Sequence, residues 1–217
     1  MWFFGLNLLC ELDSEGEWYL DRKHKQLYYY PGDETPDTSI VLATLNQPLL
    51  KITGAKHVTF QGLAFEYGHS DGIVLKDTQH VQVVGCKIAN LAGGGVSVSG
   101  SHNIVRSCEL HNLGTKGISL DGGDRKSLTR ADNQAVNNHI HHYGLFQRTY
   151  APGIGVSGCG QEATGSFLGS EPPSTLSRQI GVAAGVAGST GVTSATGVAG
   201  VAGTGSVVGV GAGVASA

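Results

Sequence analysis

Apolar residues in the middle of the chain come in pairs two positions apart, and the pairs themselves recur. Leu50 and Ile52 are followed by Ile73 and Leu75, Val96 and Val98, Ile118 and Leu120, and Ile154 and Val156. The first members lie 23, 23, 22 and then 36 residues apart. Alternation at period two is the mark of a strand with one face turned to a core. A second file begins at Val58 and Phe60 and continues with Val81 and Val83. Its third copy starts at Ile104 and sets Arg106 where Phe60 and Val83 stand. A third file holds Leu63 and Phe65, Cys86 and Ile88, Cys108 and Leu110, then Asn138 and Ile140.

Three short strands per repeat, turning between each, describe one coil. One coil cannot cover its own inner face, so successive coils must stack, strand beside equivalent strand. The predicted fold is all-β, a right-handed parallel β-helix of about 22–23 residues per coil over residues 48–160. Four or five coils at parallel-strand spacing make a stack roughly 20 Å high. Gly72, Gly95, Gly117 and Gly153 recur just before the first strand, at a corner that needs positive φ or has no room for a side chain. A jelly roll also uses many short strands, but it has no reason to align five copies at one spacing.

Outside the repeat, residues 1–47 form a separate segment. Within it EWYLDRKHKQLYYY reads as two strand-like runs joined by a polar connection, a β-hairpin. Residues 161–217 are a Gly/Ala/Val-rich tail. Arg178 is its last charge, and its small side chains offer little area to offset backbone entropy, so it is expected to be disordered. Its density of Gly and Ser/Thr makes a poor membrane span, and no membrane association is expected.

Composition narrows the picture. Only 14% of the 217 residues are charged and 34 are Gly, which disfavours a coiled coil and allows many turns. A formal charge of −3 without a basic run gives no footprint for nucleic acid. Cys86 and Cys108 hold equivalent places and read as small buried core residues, with a disulfide between them as the alternative in an exported protein. The start, MWFFGLNLLC, lacks a positive leading region, which argues against a cleaved export signal.

Stacking maps the surface as well as the core. Lys76, Ser99, Asp121 and Ser157 form one expected outward ladder, and Glu66, Ala89, His111 and His141 another. Lys87 and Glu109 are expected to form a surface ion pair. The long interval between Leu120 and Val156 contains two insertions, DGGDRKSLTRADN and GLFQRTYAPG. Extra loop length bearing charges and aromatics on a regular scaffold is where a site is expected.

For sugar-bond cleavage two carboxyl groups divide the acid and the base or nucleophile work. Asp121, at a strand end, and Asp124, beyond two bendable glycines, are the candidates, and His141 can exchange protons near neutral pH. Arg125 and Arg148 can bind an acidic sugar through a fork of donors. His142 and Tyr150 complete the candidate binding set. HIHH looks like a metal cluster, but His139 and His141 share one strand face while His142 is expected to point away, and no clean carboxylate–histidine spacing accompanies it. No cofactor is required. Calcium is compatible with oxygen donors, though no specific motif calls for it.

Four segments carry a family likeness: GEWYLDRKHKQLYYYPGDE, VTFQGLAFEYGHSDGI, GISLDGGDRKSLT and NNHIHHYGLFQRTYAPGIGVSG. Through them, residues 17 to about 160 resemble the pectin-lyase-like superfamily, and more narrowly its glycoside-hydrolase-like right-handed β-helix proteins. The resemblance implies a carbohydrate-active domain with a polysaccharide or oligosaccharide partner, outside the cytoplasm. Such proteins usually continue through more coils after the GVSG segment, where this chain turns to its atypical tail. Glycoside hydrolysis, polysaccharide lysis and a non-catalytic carbohydrate-binding or structural module all remain open at this point.

Overall fold

The computed structural model describes residues 5, 7–31, 40–169 and 208–211. They fall into two compact units. In the smaller unit, β1 (Trp18–Asp21) pairs antiparallel with β2 (Gln26–Tyr29), the expected hairpin. Asp21 closes its turn, accepting the backbone N–H groups of Lys23 and His24 at 2.9 and 3.1 Å. On its other edge β2 pairs with a strand at Val208–Gly211. The expectation of disorder for the rest of the tail, beyond residue 169, lies outside the described residues.

The larger unit is a stack of parallel strands in three sheets. The first sheet contains β3 (Leu50–Thr53), β6 (Ile73–Gln79), β9 (Val96–Ser101), β12 (Ile118–Asp121) and β15 (Ile154–Val156). The second contains β4 (Thr59–Gln61), β7 (Gln82–Val84), β10 (Ile104–Arg106), β13 (Gln134–Val136) and β16 (Glu162–Thr164). The third contains β5 (Ala64–Gly68), β8 (Lys87–Leu91), β11 (Glu109–Leu113), β14 (His139–His141) and β17 (Phe167–Gly169). This is the predicted β-helix. Because β16 and β17 add a further rung, the coils run past the expected boundary at residue 160.

Register follows the apolar pattern. Leu50, Ile73, Val96, Ile118 and Ile154 pair successively, as do Ile52, Leu75, Val98, Leu120 and Val156. The second file differs from expectation by one residue. Val105, not Arg106, pairs with Val83 and turns inward, while Arg106 is exposed. The file continues through Ala135 and Ala163, residues small enough to escape an apolar search.

The shift at Val105 has a physical cause. Asn103 and Asn133 lie in the tier that holds Val81 one coil below, and both are buried. Asn103 Oδ1 accepts the Val81 N–H at 3.0 Å, and Asn133 Oδ1 accepts the Asn103 N–H at 3.0 Å. The amides therefore climb the stack and satisfy backbone groups at the corner after the first sheet. Asn138 does the same at the next corner, accepting the Cys108 N–H at 3.0 Å. Cys86 and Cys108 are buried free thiols, and burial pushes Cys108 up to about 11.

Steric room, not positive φ, explains the glycines before the first sheet. A Cβ on Gly72 would meet the carbonyl oxygen of Gly95 at 2.8 Å, and one on Gly95 would meet Leu110 Cδ2 at 2.6 Å. The positive-φ corners are elsewhere, and non-glycine residues occupy many of them. His57, His80 and His102 share one such corner at φ 56°, 54° and 57°.

Candidate functional site

Both insertions flank the first sheet. The first leaves the C-terminal end of β12, and the second enters the N-terminal end of β15. Between them the outward residues of the upper coils are small and polar: Ser97, Ser119 and Gly155 in one tier, Ser99, Asp121 and Ser157 in the next. Asp121 is exposed and accepts the Ser157 hydroxyl at 2.6 Å. The expected ladder is therefore present through Ser99, Asp121 and Ser157, but a register shift between Leu75 and Thr78 breaks it below Ser99 and leaves Lys76 out of the file.

Asp124 is committed differently. Its Oδ1 accepts the Lys126 N–H at 2.8 Å and its Oδ2 accepts the Ser127 hydroxyl at 2.8 Å. The Lys126 N–H is the main reason its carboxyl sits below the usual carboxylate range, with the Ser127 hydroxyl second. These bonds close the turn that pairs Asp124 with Thr129. Arg125 Nε donates to the Gly158 carbonyl at 3.2 Å, tying the first insertion to the coil above.

The second insertion docks on the preceding corner. Gly144 N–H donates to the Thr115 carbonyl at 2.7 Å, and Phe146 N–H to the Gly114 carbonyl at 2.9 Å. Arg148 is exposed in this loop, and Tyr150 is 96% exposed just before β15.

His141 and His142 stand at another corner, where the third sheet ends. Its outer face carries Glu66, Lys87, Glu109, His111, His139 and His141, more charged and histidine side chains than the strands of either other sheet. Glu66, Ala89, His111 and His141 lie in one tier, as expected, and Ala64, Lys87, Glu109, His139 and Phe167 in the other. The expected pairing of Lys87 with Glu109 is replaced: Lys87 Nζ reaches Glu66 Oε1 at 3.0 Å. That hydrogen bond is the main reason the Lys87 ammonium is held above its ordinary range. Glu109 Oε1 instead lies 3.9 Å from His141 Nε2.

His142 does not point away. Its φ of 51° turns the chain at the corner and brings its Nδ1 to 2.6 Å from His141 Nδ1. The His141 ring stacks on His111 with centroids 5.0 Å apart and lies 4.6 Å from the His139 ring. Burial is the first cause lowering both His111 and His141 below the ordinary imidazole value. For His141 the neighbouring histidines add to that effect.

The predicted site residues thus divide. Asp121 ends β12 and Asp124 and Arg125 follow in the first insertion with separate partners, Arg148 and Tyr150 belong to the second insertion, and His141 ends β14 with His142 just beyond it. Sequence spacing missed the grouping of Glu109 with His139 and His141. All three offer ligand atoms within 4.8 Å of one another, and these residues could hold a metal. Glu109 lies 30 residues before His139, one enlarged coil below, and pairs with it directly. The signal is legible only after the coils are laid in register.

No curated protein and no solved structure matches the chain. The family described as a right handed beta helix region matches residues 41–164, more than half of the sequence and nearly all of the described coils. With three parallel sheets stacked in register behind that match, the chain belongs to the right-handed β-helix family.

Proposed function

We propose that this β-helix binds an extended saccharide chain along the outer face of its first sheet. The observation that carries the reading is the strip of Ser97, Ser99, Ser119, Asp121 and Ser157 between two chain insertions. Hydroxyl and carboxylate groups repeating at strand spacing, about 4.8 Å, suit a ligand that is itself a repeat of hydroxyls. Tyr150 offers an exposed ring at one rim, and aromatic rings pack against the apolar faces of sugars. Arg148 in the same loop gives an acidic sugar a cationic contact.

Binding is favoured over hydrolysis because the second carboxylate is otherwise engaged. Glycoside hydrolysis divides its work between two carboxyl groups. Asp124 is held by Lys126 and Ser127 in its own turn, and Asp132, the other carboxylate of that insertion, accepts from Arg130 Nε at 2.8 Å, so both possible partners of Asp121 in the loop are engaged.

The test is titration of the full chain against a panel of neutral and acidic polysaccharides, with products assayed in parallel. The expected result is binding without turnover, weakened roughly tenfold, or about 1.4 kcal/mol, by Asp121→Ala or Tyr150→Ala. Binding to no member of the panel, or binding indifferent to both changes, sinks the reading. New reducing ends that vanish in Asp121→Asn would replace it with hydrolysis. An unsaturated, ultraviolet-absorbing product would replace it with lysis.

A further inference from the structure

We propose that Glu109, His139 and His141 form a binding site for a divalent transition-metal ion, best suited to zinc, on the outer face of the third sheet. Their ligand atoms already lie within 4.8 Å of one another. Zinc bonds of about 2.0–2.2 Å in tetrahedral geometry require donors about 3.4 Å apart. The widest gap must therefore close by about 1.4 Å. Glu109 and His139 are exposed, so side-chain rotation supplies that movement without disturbing the backbone.

Three features of the fold set the donors. His139 and His141 are two apart in β14, so the pleat turns both outward. Glu109 is the direct partner of His139 in the coil below, so the third donor comes from one strand spacing away. Lys87, the cation next to Glu109 in that tier, is drawn toward Glu66 on the coil beneath. The Glu109 carboxylate is left facing the histidines.

Support around the donors points the same way. His141 Nδ1 is in hydrogen-bond contact with His142 Nδ1 at 2.6 Å, which leaves Nε2 as the atom turned to Glu109. A ligating histidine typically has its second nitrogen held by such an outer partner, fixing tautomer and ring plane. His111 stacks flat against the His141 ring, with 7° between the planes. The Phe167 ring lies 5.2 Å from that of His139.

Two imidazoles and one carboxylate suit zinc, whereas calcium takes six to eight oxygen donors. Three protein donors leave a fourth position for water. The histidine file at the other corner makes the contrast. His57, His80 and His102 stack at 4.7 and 4.8 Å, but among the described residues their only carboxylate in ion-pair range is Asp132, 3.8 Å from His102 alone.

The experiment is equilibrium dialysis and calorimetric titration of the tag-free full chain with Zn²⁺, repeated with Co²⁺ for its visible absorption. One zinc per chain is expected at this site. The pair His139→Ala and His141→Ala should lower affinity at least 100-fold, and His142→Ala should lower it about 10–100-fold, as outer partners do. His57→Ala with His102→Ala should leave it unchanged. Failure to bind zinc, affinity surviving the His139 and His141 changes, or affinity lost in the His57 and His102 pair would each overturn the assignment. Should the variants misfold, zinc must still shield His139 and His141 of the unaltered chain from ethoxyformylation by mass spectrometry. Equal labelling with and without zinc overturns it as well.

Discussion

Leu120 and Val156 hold the same inward position in adjacent coils, yet Leu120 is fully buried and Val156 is 54% exposed. Ile140 and Leu168 repeat the contrast in the third sheet, at 0% and 46% exposure. The paired side chains face the same interior, so the inward position alone does not bury them. Middle coils receive cover from below and above, whereas the described rung of β15, β16 and β17 takes its strand pairing from below. At the other end Leu63 is likewise 46% exposed. In this architecture burial belongs to the stack, and each coil's contribution to stability depends on its neighbours.

The largest expected effect comes from cutting the middle of the core. Ile118 is fully buried between Val96 and Ile154. Ile118→Ala should cost about 2–5 kcal/mol, since the lost transfer energy is compounded by a cavity that rigid neighbours cannot close. Val156→Ala removes fewer carbons from a half-exposed position, at about 0.8 kcal/mol per fully buried carbon, and should cost under about 1 kcal/mol. Urea denaturation of the two variants measures the difference. Equal losses would mean that burial is not graded along the stack.

That gradation explains what the sequence reveals and conceals. Apolar residues at steady spacing disclosed the first and third files because both use Leu, Ile, Val or Phe in coil after coil. The second file slipped at Arg106 because its upper inward residues are Val105, Ala135 and Ala163, preceded by an asparagine tier. An inward asparagine looks like a loop residue until its backbone partners are known. The candidate site followed the same rule. Asp121 is legible as a strand end that bears a loop, while Asp124's turn and the Glu109–His139 pairing depend on contacts that linear spacing does not show.

The asparagine tier gives the next test. Asn133 Oδ1 accepts from both the N–H and the Nδ2 of Asn103, at 3.0 and 2.9 Å, while its own Nδ2 donates to the carbonyls of Gly100 and Asp121. Asn133→Ala leaves buried donors and carbonyls without partners, at an expected cost of about 1–3 kcal/mol. Asn133→Asp keeps the acceptor but loses the Nδ2 donor, and buries a charge, so it should not rescue. Unchanged stability in Asn133→Ala would show that the tier fills space without bonding.

The smallest effect is chemical and leaves the fold intact. Cys108 lies buried in a middle coil, whereas Cys159, on the chain between β15 and β16, is partly exposed. Burial raises the Cys108 thiol from its ordinary 9.0 to about 11, so its protonated form persists through mildly alkaline solution. The thiolate is the nucleophile, so both access and ionisation oppose reaction there. Alkylation of the native chain near pH 8 should label Cys159 and spare Cys108, with peptide mass spectrometry locating the adducts. Ionisation favours the unfolded chain between pH 9 and about 11, so protection should fall as pH rises through that window. Native labelling of Cys108 at the rate of Cys159 would mean that the middle coils open as readily as the upper one, and the graded burial would lose its energetic meaning.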